Sequence, residues 1–265
     1  MSIQSLKNKN VVITGASGGL GEKIAYEVAK RGGNVVLIAR TEEKLRVVAA
    51  KIQRQYKTSC YTYELDVSHI ENVQRTFTQI KKKIGSIDVL VNNAGFGIFE
   101  SVEDAKMEDI EAMFQVNVLG LIACTKMVLP DMVKRNKGQI INIASQAGKL
   151  ATPKSSGYAA TKHAVLGFTN SLRMELSKTN VYVTAVNPGP IQTDFFTIAD
   201  TSGNYTKSVE KFMLNPDVVA KKVVDAMIKK KREINLPGWM GMGSTLYQLA
   251  PRLVEKLAGN AFHRK

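Results

Sequence analysis

The sequence predicts an α/β fold, doubly wound around a seven-stranded parallel sheet flanked by helices, and three observations predict it. Short β-branched runs alternate with longer segments of helical periodicity along most of the chain, the pattern of repeated strand-helix units. These runs are almost continuously apolar, as strands covered on both faces must be. A glycine-rich turn, TGASGGLG, follows the first run and leads straight into a helical segment, the place where the carboxyl edge of such a sheet opens.

Taken in order, NVVITG (10–15) reads as the first strand and 19–31 as the first helix. VVLIAR (35–40) with a helix over 42–55 follows, then CYTYELD (60–66) with a helix over 69–84. DVLVNNAG (88–95) precedes the longest helical pattern, about 107–135; GQIINIAS (138–145) precedes 157–177; VYVTAVNPG (181–189) is the sixth strand. A helix starting near Pro216 runs to about Lys231 and delivers a seventh strand, EINLP (233–237). No repeat, low-complexity tract or linker interrupts the chain, so one domain is expected over 1–265. Residues 190–215 lack clear periodicity and are read as a substrate loop. Residues 238–265 are read as a helical extension in which Leu246, Leu249, Leu253 and Leu257 form an apolar stripe, with Pro251 starting a second helix and Gly259 ending it. Such a stripe is expected to pack on its own chain or on another subunit. Peripheral membrane contact by this basic tail, with Trp239, Met240 and Met242, is the less favoured alternative.

The formal charge is +14, from 37 basic and 23 acidic residues, which raises the question of nucleic acid. The basic residues are scattered except for KKK (81–83) and KKKR (229–232). Both runs fall at the ends of helical segments, where positive charge complements the macrodipole, so no nucleic-acid partner is expected. An anionic substrate, cofactor or lipid surface would be drawn by the same charge. Cys60 and Cys124 are far apart and match no metal-ligand or C-x-x-C spacing, which predicts a reduced, cytoplasmic protein with neither disulfide nor metal. The first ten residues lack the apolar run of a secretory signal, and the longest apolar stretch, VLGLIAC (118–124), ends at Thr125 and Lys126. No membrane span is expected.

Two constellations carry chemistry. Gly15, Gly19 and Gly21 let the backbone turn sharply and approach a pyrophosphate at a helix N-terminus. At the end of the second strand, where a carboxylate would bind the ribose 2′-hydroxyl of NAD, the chain has Ala39, Arg40 and Thr41. A guanidinium there matches the 2′-phosphate and favours NADP. Further on, Tyr158 and Lys162 lie four residues apart, on one helix face with only Ala159, Ala160 and Thr161 between them. His163 points to a different face and is expected to pack, and Cys124 is expected to be a buried, inert thiol.

With TGASGGLG, NNAG (92–95), Asn117, Ser145, Tyr158-x-x-x-Lys162 and NPGPIQT (187–193) in this order, residues 7–237 resemble the short-chain dehydrogenase/reductase family in its single-domain subtype. The resemblance implies a Rossmann fold, an NADP cofactor and interconversion of a carbonyl and a secondary alcohol, in the direction of a carbonyl reductase. It implies a catalytic set of Asn117, Ser145, Tyr158 and Lys162. Tyr158 would donate the proton and Ser145 hold the substrate oxygen. Lys162 would bind the nicotinamide ribose and lower the tyrosine pKa from its usual ~10. Asn117 would hold a water linking the lysine to solvent.

For the cofactor, the resemblance implies Gly15, Ser17, Gly19, Leu20 and Gly21 at the pyrophosphate and Arg40 and Thr41 at the 2′-phosphate. Asp66 and Val67 would read the adenine. Asn93, Ala94 and Gly95, with Asn92, would lie near the adenine ribose, the two asparagines having an alternative structural role. Pro188, Gly189, Ile191 and Thr193 would frame the nicotinamide. The implied partners are a small carbonyl or alcohol, lipophilic if Phe96, Phe99, Phe195 and Phe196 line its pocket, and a second or further copy of the chain, as homodimer or homotetramer through the helices at 107–135 and 157–177. A 3-oxoacyl-thioester reductase fits the same motifs, and a non-catalytic NADPH-binding regulator is the reading outside enzymes.

Overall fold

Seven strands, β1 (Asn10–Thr14), β2 (Asn34–Ala39), β3 (Cys60–Glu64), β4 (Val89–Asn92), β5 (Gly138–Ile143), β6 (Val181–Pro188) and β7 (Glu233–Leu236), pair in parallel in the order β3-β2-β1-β4-β5-β6-β7. A computed structural model describes residues 5–262, with side chains to residue 256. The central strand register, Val11 beside both Val35 and Val89, shows why the strands read as unbroken apolar runs. Successive side chains point to opposite faces, and both faces are covered. Val11 and Ile13 enter one core with α1 (Gly19–Lys30), α2 (Glu42–Gln55) and α9 (Pro216–Ile228); Val12 and Leu90 enter the other with α3 (Ile70–Ile84), α5 (Leu121–Lys134) and α6 (Ser156–Glu175). Full burial of side chains such as Phe77, Ile24 and Leu45 contributes roughly 1.5–3 kcal/mol apiece.

The chain runs outward from β1 through β2 to β3, then returns to place β4 on the other side of β1. This reversal opens a crevice beyond the carboxyl ends of β1 and β4. α9 begins as expected: Asn215 Oδ1 accepts from the backbone N–H groups of Asp217 and Val218 at 2.8 and 3.3 Å, with Pro216 next in line. The lysine runs cap helix ends, with Lys81, Lys82 and Lys83 in the last turn of α3 and Lys229 closing α9.

Three expectations are corrected. The pattern over 107–135 is not one α-helix, because α4 (Met107–Phe114) and α5 are joined by a π-turn over Gln115–Gly120. The segment Met107–Lys134 is long and apolar enough to cross a membrane by composition, yet Met113, Val118, Cys124, Val128 and Met132 are buried within the protein, as in a core helix. The substrate loop is not irregular: it holds α7 (Phe195–Ala199), α8 (Asn204–Val209) and a 3₁₀ turn (Glu210–Phe212). Each is too short to show a period. In the C-terminal extension, α10 (Gly238–Leu249) is followed by α11 (Pro251–Phe262), which starts at Pro251 as expected but runs past Gly259. Leu246, Leu249 and Leu253 are exposed rather than packed on their own chain; the side chain of Leu257 lies outside the described residues.

Candidate active site

The first wall of the site is the turn between β1 and α1. Gly15 and Gly19 have φ of 65° and 53°, the left-handed region that favours glycine. Gly21 is needed for a different reason: a Cβ there would lie 2.2 Å from the Gly15 carbonyl oxygen, so only glycine lets α1 start so close to the strand. The turn is pinned from the residue after β4, where Asn93 Nδ2 donates to the carbonyls of Thr14 and Gly15 at 3.0 and 3.1 Å. Thr14 Oγ1 in turn accepts from the backbone N–H groups of Asn93 and Ala94, each at 3.0 Å. Gly21→Ala is expected to cost about 1–3 kcal/mol through overpacking, seen as a lowered Tm in a thermal scan. An unchanged Tm would show that helix and turn part freely.

The second wall is the first turn of α6. Tyr158 is buried, its ring edge-on to Phe99 at 5.7 Å and tilted against Phe195 at the same separation. Lys162 is buried one turn on, its Nζ 5.7 Å from the Tyr158 ring centroid and donating to the Ile143 carbonyl at 3.0 Å. Burial lowers the ammonium to about 8. The expected lowering of the tyrosine is corrected in its net direction: the phenol lies above its ordinary value. Burial pushes the Tyr158 phenol up, the Ser145 hydroxyl draws it down and Tyr205 adds to the rise. The physical reason is that desolvation outweighs what one hydrogen bond returns. The small residues around the pair make room for a neighbouring helix, since a Cβ on Gly157 would lie 3.1 Å from Met113 Cε of α4.

Ser145 follows β5 and caps a 3₁₀ turn (Gln146–Gly148) by accepting from the Ala147 N–H at 3.0 Å. Asn117 lies in the π-turn, an interruption that often marks functional sites. Its Oδ1 accepts from the Phe96 N–H at 3.0 Å, and its Nδ2 donates to the Phe96 carbonyl at 2.8 Å and to Thr161 Oγ1 at 3.1 Å. The amide therefore clamps the loop after β4 to α6. A Cβ on Gly95 would lie 2.9 Å from Asn117 Oδ1 and 3.6 Å from Lys162 Nζ, which brings the loop, the asparagine and the lysine to one point.

A single cavity of about 550 Å³ joins these walls: Gly15, Ser17, Gly19 and Leu20 on one side, Ser145, Tyr158 and Lys162 on the other. The family model for short chain dehydrogenases matches residues 9–202. The chain belongs to the short-chain dehydrogenase family.

Family membership agrees with its relatives. It is 42% identical over 188 residues to an uncharacterized oxidoreductase of Staphylococcus saprophyticus, covering 71% of this chain and 80% of that one. It is 32% identical over 236 residues to the NADP-dependent 3-hydroxy acid dehydrogenase of Schizosaccharomyces pombe, covering 86% and 90%. A Burkholderia phymatum short-chain dehydrogenase/reductase solved with NAD shares the fold, with a TM-score of 0.86 at 23% identity over 94% and 96% of the two chains.

The remaining family positions divide into two groups. Asn93, Ala94, Gly95, Pro188, Gly189, Ile191 and Thr193 line the same cavity. Ile191 is held by a bridge to Leu214, and Gln192 N–H donates to the Leu214 carbonyl at 3.0 Å. Arg40, Thr41, Asp66 and Val67 lie outside that lining, on the same sheet edge at the ends of β2 and β3. Arg40 is exposed. Burial raises the Asp66 carboxyl, but hydrogen bonds from Ser68 and the charge of Arg40 bring it below its ordinary value. Asn92 donates to Thr125 Oγ1 and Asn142 Oδ1 at 3.0 and 2.9 Å, which is the structural role. His163 contacts the Ala159 carbonyl on its own helix, while Cys60 and Cys124 are buried, free thiols pushed up to about 12.

Several lining residues have no sequence signal of their own. Lys44, in the first turn of α2, faces the cavity; its only mark is a positive charge where the helix dipole disfavours one. Tyr205 of α8, in a segment without recognisable period, completes the wall together with Met240 of α10, which the sequence marked only for membrane contact.

Proposed function

We propose that this oxidoreductase is NADP(H)-dependent and reduces a carbonyl to a secondary alcohol, with Tyr158 as proton donor. One observation carries the reading: Tyr158 and Lys162 share a single cavity with the glycine turn and the N-terminus of α1. The cradle fits the cofactor. Gly18 opens on space with nothing within 4 Å of a would-be Cβ, and the first amides of α1 supply donors for a pyrophosphate. Bound NADPH supplies the hydride that adds to the carbonyl carbon.

The chain's own residues do the rest. As the carbonyl oxygen gains negative charge, the Tyr158 hydroxyl transfers its proton to it and is left as phenolate. Ser145 holds the same oxygen by hydrogen bonding. Lys162, cationic below about pH 8, stabilises the phenolate. The clamp made by Asn117 keeps the Phe96 loop and α6 in place around it. The aromatic wall of Phe99, Phe195, Phe196 and Tyr205 supports an apolar carbonyl as substrate. The 3-oxoacyl thioester remains the second reading, supported by the 3-hydroxy acid in the fission-yeast relative's name. Convergence of Ser145, Tyr158 and Lys162 in one cavity argues against an idle NADPH binder. Exposed Met107 on α4, Leu119 in the π-turn, Val133 on α5 and Met174 on α6 support pairing of two chains through these helices.

The choice of NADP rests on Arg40, with Lys44 as a second cation, and agrees with the fission-yeast relative's name; the Burkholderia neighbour speaks only of fold. Arg40→Ala is expected to weaken NADPH binding by roughly 10- to 100-fold, as loss of hydrogen bonds to a charged group of about 1.5–3 kcal/mol would. NADH binding should change little. Titration of each cofactor checks this, and an equal loss for both would remove the arginine from the 2′-phosphate.

A further inference from the structure

We propose that the outer face of α10 and the start of α11 dock on an anionic lipid surface, beside the mouth of the active-site cavity. Helix α10 is amphipathic in the wrong direction for a helix packed on its own core. Its buried positions are the small Gly241 and Ser244, the first so close to β7 that a Cβ would lie 2.8 Å from Asn235 Cβ. Its large apolar side chains, Trp239, Met242, Leu246 and Leu249, recur at spacings of one helical turn and are 54–80% exposed, and Leu253 continues them onto α11. No charged residue occurs between Gly238 and Leu249. With 12 residues the helix falls well short of the ~20 needed to cross a bilayer, so it suits a position in the interface plane.

Two further observations select the occupant. The segments that meet the face, 207–212 leading to Phe212 and 251–256 after α10, are net basic: they carry Lys207, Lys211, Arg252 and Lys256 against Glu210 and Glu255, and the Glu255 carboxylate already accepts from the Tyr247 hydroxyl at 3.0 Å. Anionic headgroups complement that charge, whereas a twofold contact with a second copy would bring two sets of these basic segments together. The face is also continuous with the cavity. Phe212 lines the cavity, is 56% exposed and packs edge-on against the Trp239 ring at 6.3 Å, and Met240 lines it from α10 itself. A lipophilic molecule could pass from acyl chains into the site without crossing water.

Trp239 is the only tryptophan, so its fluorescence reports on this face without labelling. Purified full-length protein is mixed with vesicles of phosphatidylcholine alone or of phosphatidylcholine with phosphatidylglycerol, followed by emission and co-sedimentation. Phosphatidylglycerol vesicles should blue-shift Trp239 and sediment the protein, with binding reduced by high salt. The double variant Leu246→Glu with Leu249→Glu should bind at least tenfold more weakly at unchanged Tm. Arg252→Glu with Lys256→Glu should lose the preference for phosphatidylglycerol. Absence of shift and sedimentation with either vesicle would overturn the proposal. So would lipid-free self-association that the Leu246→Glu, Leu249→Glu variant abolishes, since a second copy would then own the face. None of these readouts uses turnover, so they stand or fall apart from the proposed reaction.

Discussion

Tyr158→Phe is expected to reduce carbonyl turnover by about 10²–10⁴-fold, the usual contribution of a general acid, while NADPH binding stays within a few-fold. The substitution removes one hydroxyl and keeps the ring that Phe99 and Phe195 pack against, so the cavity wall survives. Burial holds the phenol protonated well above its usual range, so the reductive proton is available throughout neutral pH. The reverse oxidation needs the deprotonated form and should accelerate toward alkaline pH. Steady-state rates in both directions, with a separate NADPH titration, check the pair of statements. Retained turnover in Tyr158→Phe would take the proton donor elsewhere.

Lys162→Met should abolish efficient turnover and yet stabilise the unliganded protein at neutral pH. The folded-state pKa of Lys162 is about 8, against 10.5 for a free lysine. The unfolded chain therefore holds the proton more tightly, and stability rises with pH between these two values. The burial cost of the ammonium, about 3 kcal/mol from that difference, is present in full below about pH 8 and fades toward pH 10.5. Methionine avoids that cost but leaves the Ile143 carbonyl without its 3.0 Å donor, a loss of about 1–3 kcal/mol. The net gain in Tm should be modest at pH 7 and should shrink, then reverse, as pH rises. Thermal scans of both proteins across this range measure it; a deficit in Lys162→Met that does not vary with pH would show that the lysine carries no burial penalty.

The sheet and the reactive pair were legible in the sequence because each rests on local pattern. Val11 and Val12 face different cores, so burial on both sides writes an unbroken apolar run. Tyr158 and Lys162 share a face through helix geometry alone. What was not legible depends on tertiary context. The π-turn that presents Asn117 changes the helical register without changing composition. Asp200 organises the segment between α7 and α8 by accepting from the Thr206 and Ser202 side chains, an arrangement with no sequence period. The stripe on α10 was visible, but its direction was not, because the helix turns its small residues inward, Gly241 against Asn235 of β7 and Ser244 buried beside it.

The central claim is that this cavity transfers hydride from NADPH to a carbonyl with proton delivery by Tyr158. NADPH oxidation measured over a panel of ketones, aldehydes and 3-oxoacyl thioesters tests it most directly. The account predicts carbonyl-dependent oxidation, faster with NADPH than with NADH and strongest for apolar substrates that fill the aromatic wall. Tight NADPH binding with no oxidation by any member of the panel would contradict it and leave a cofactor-binding protein without this chemistry.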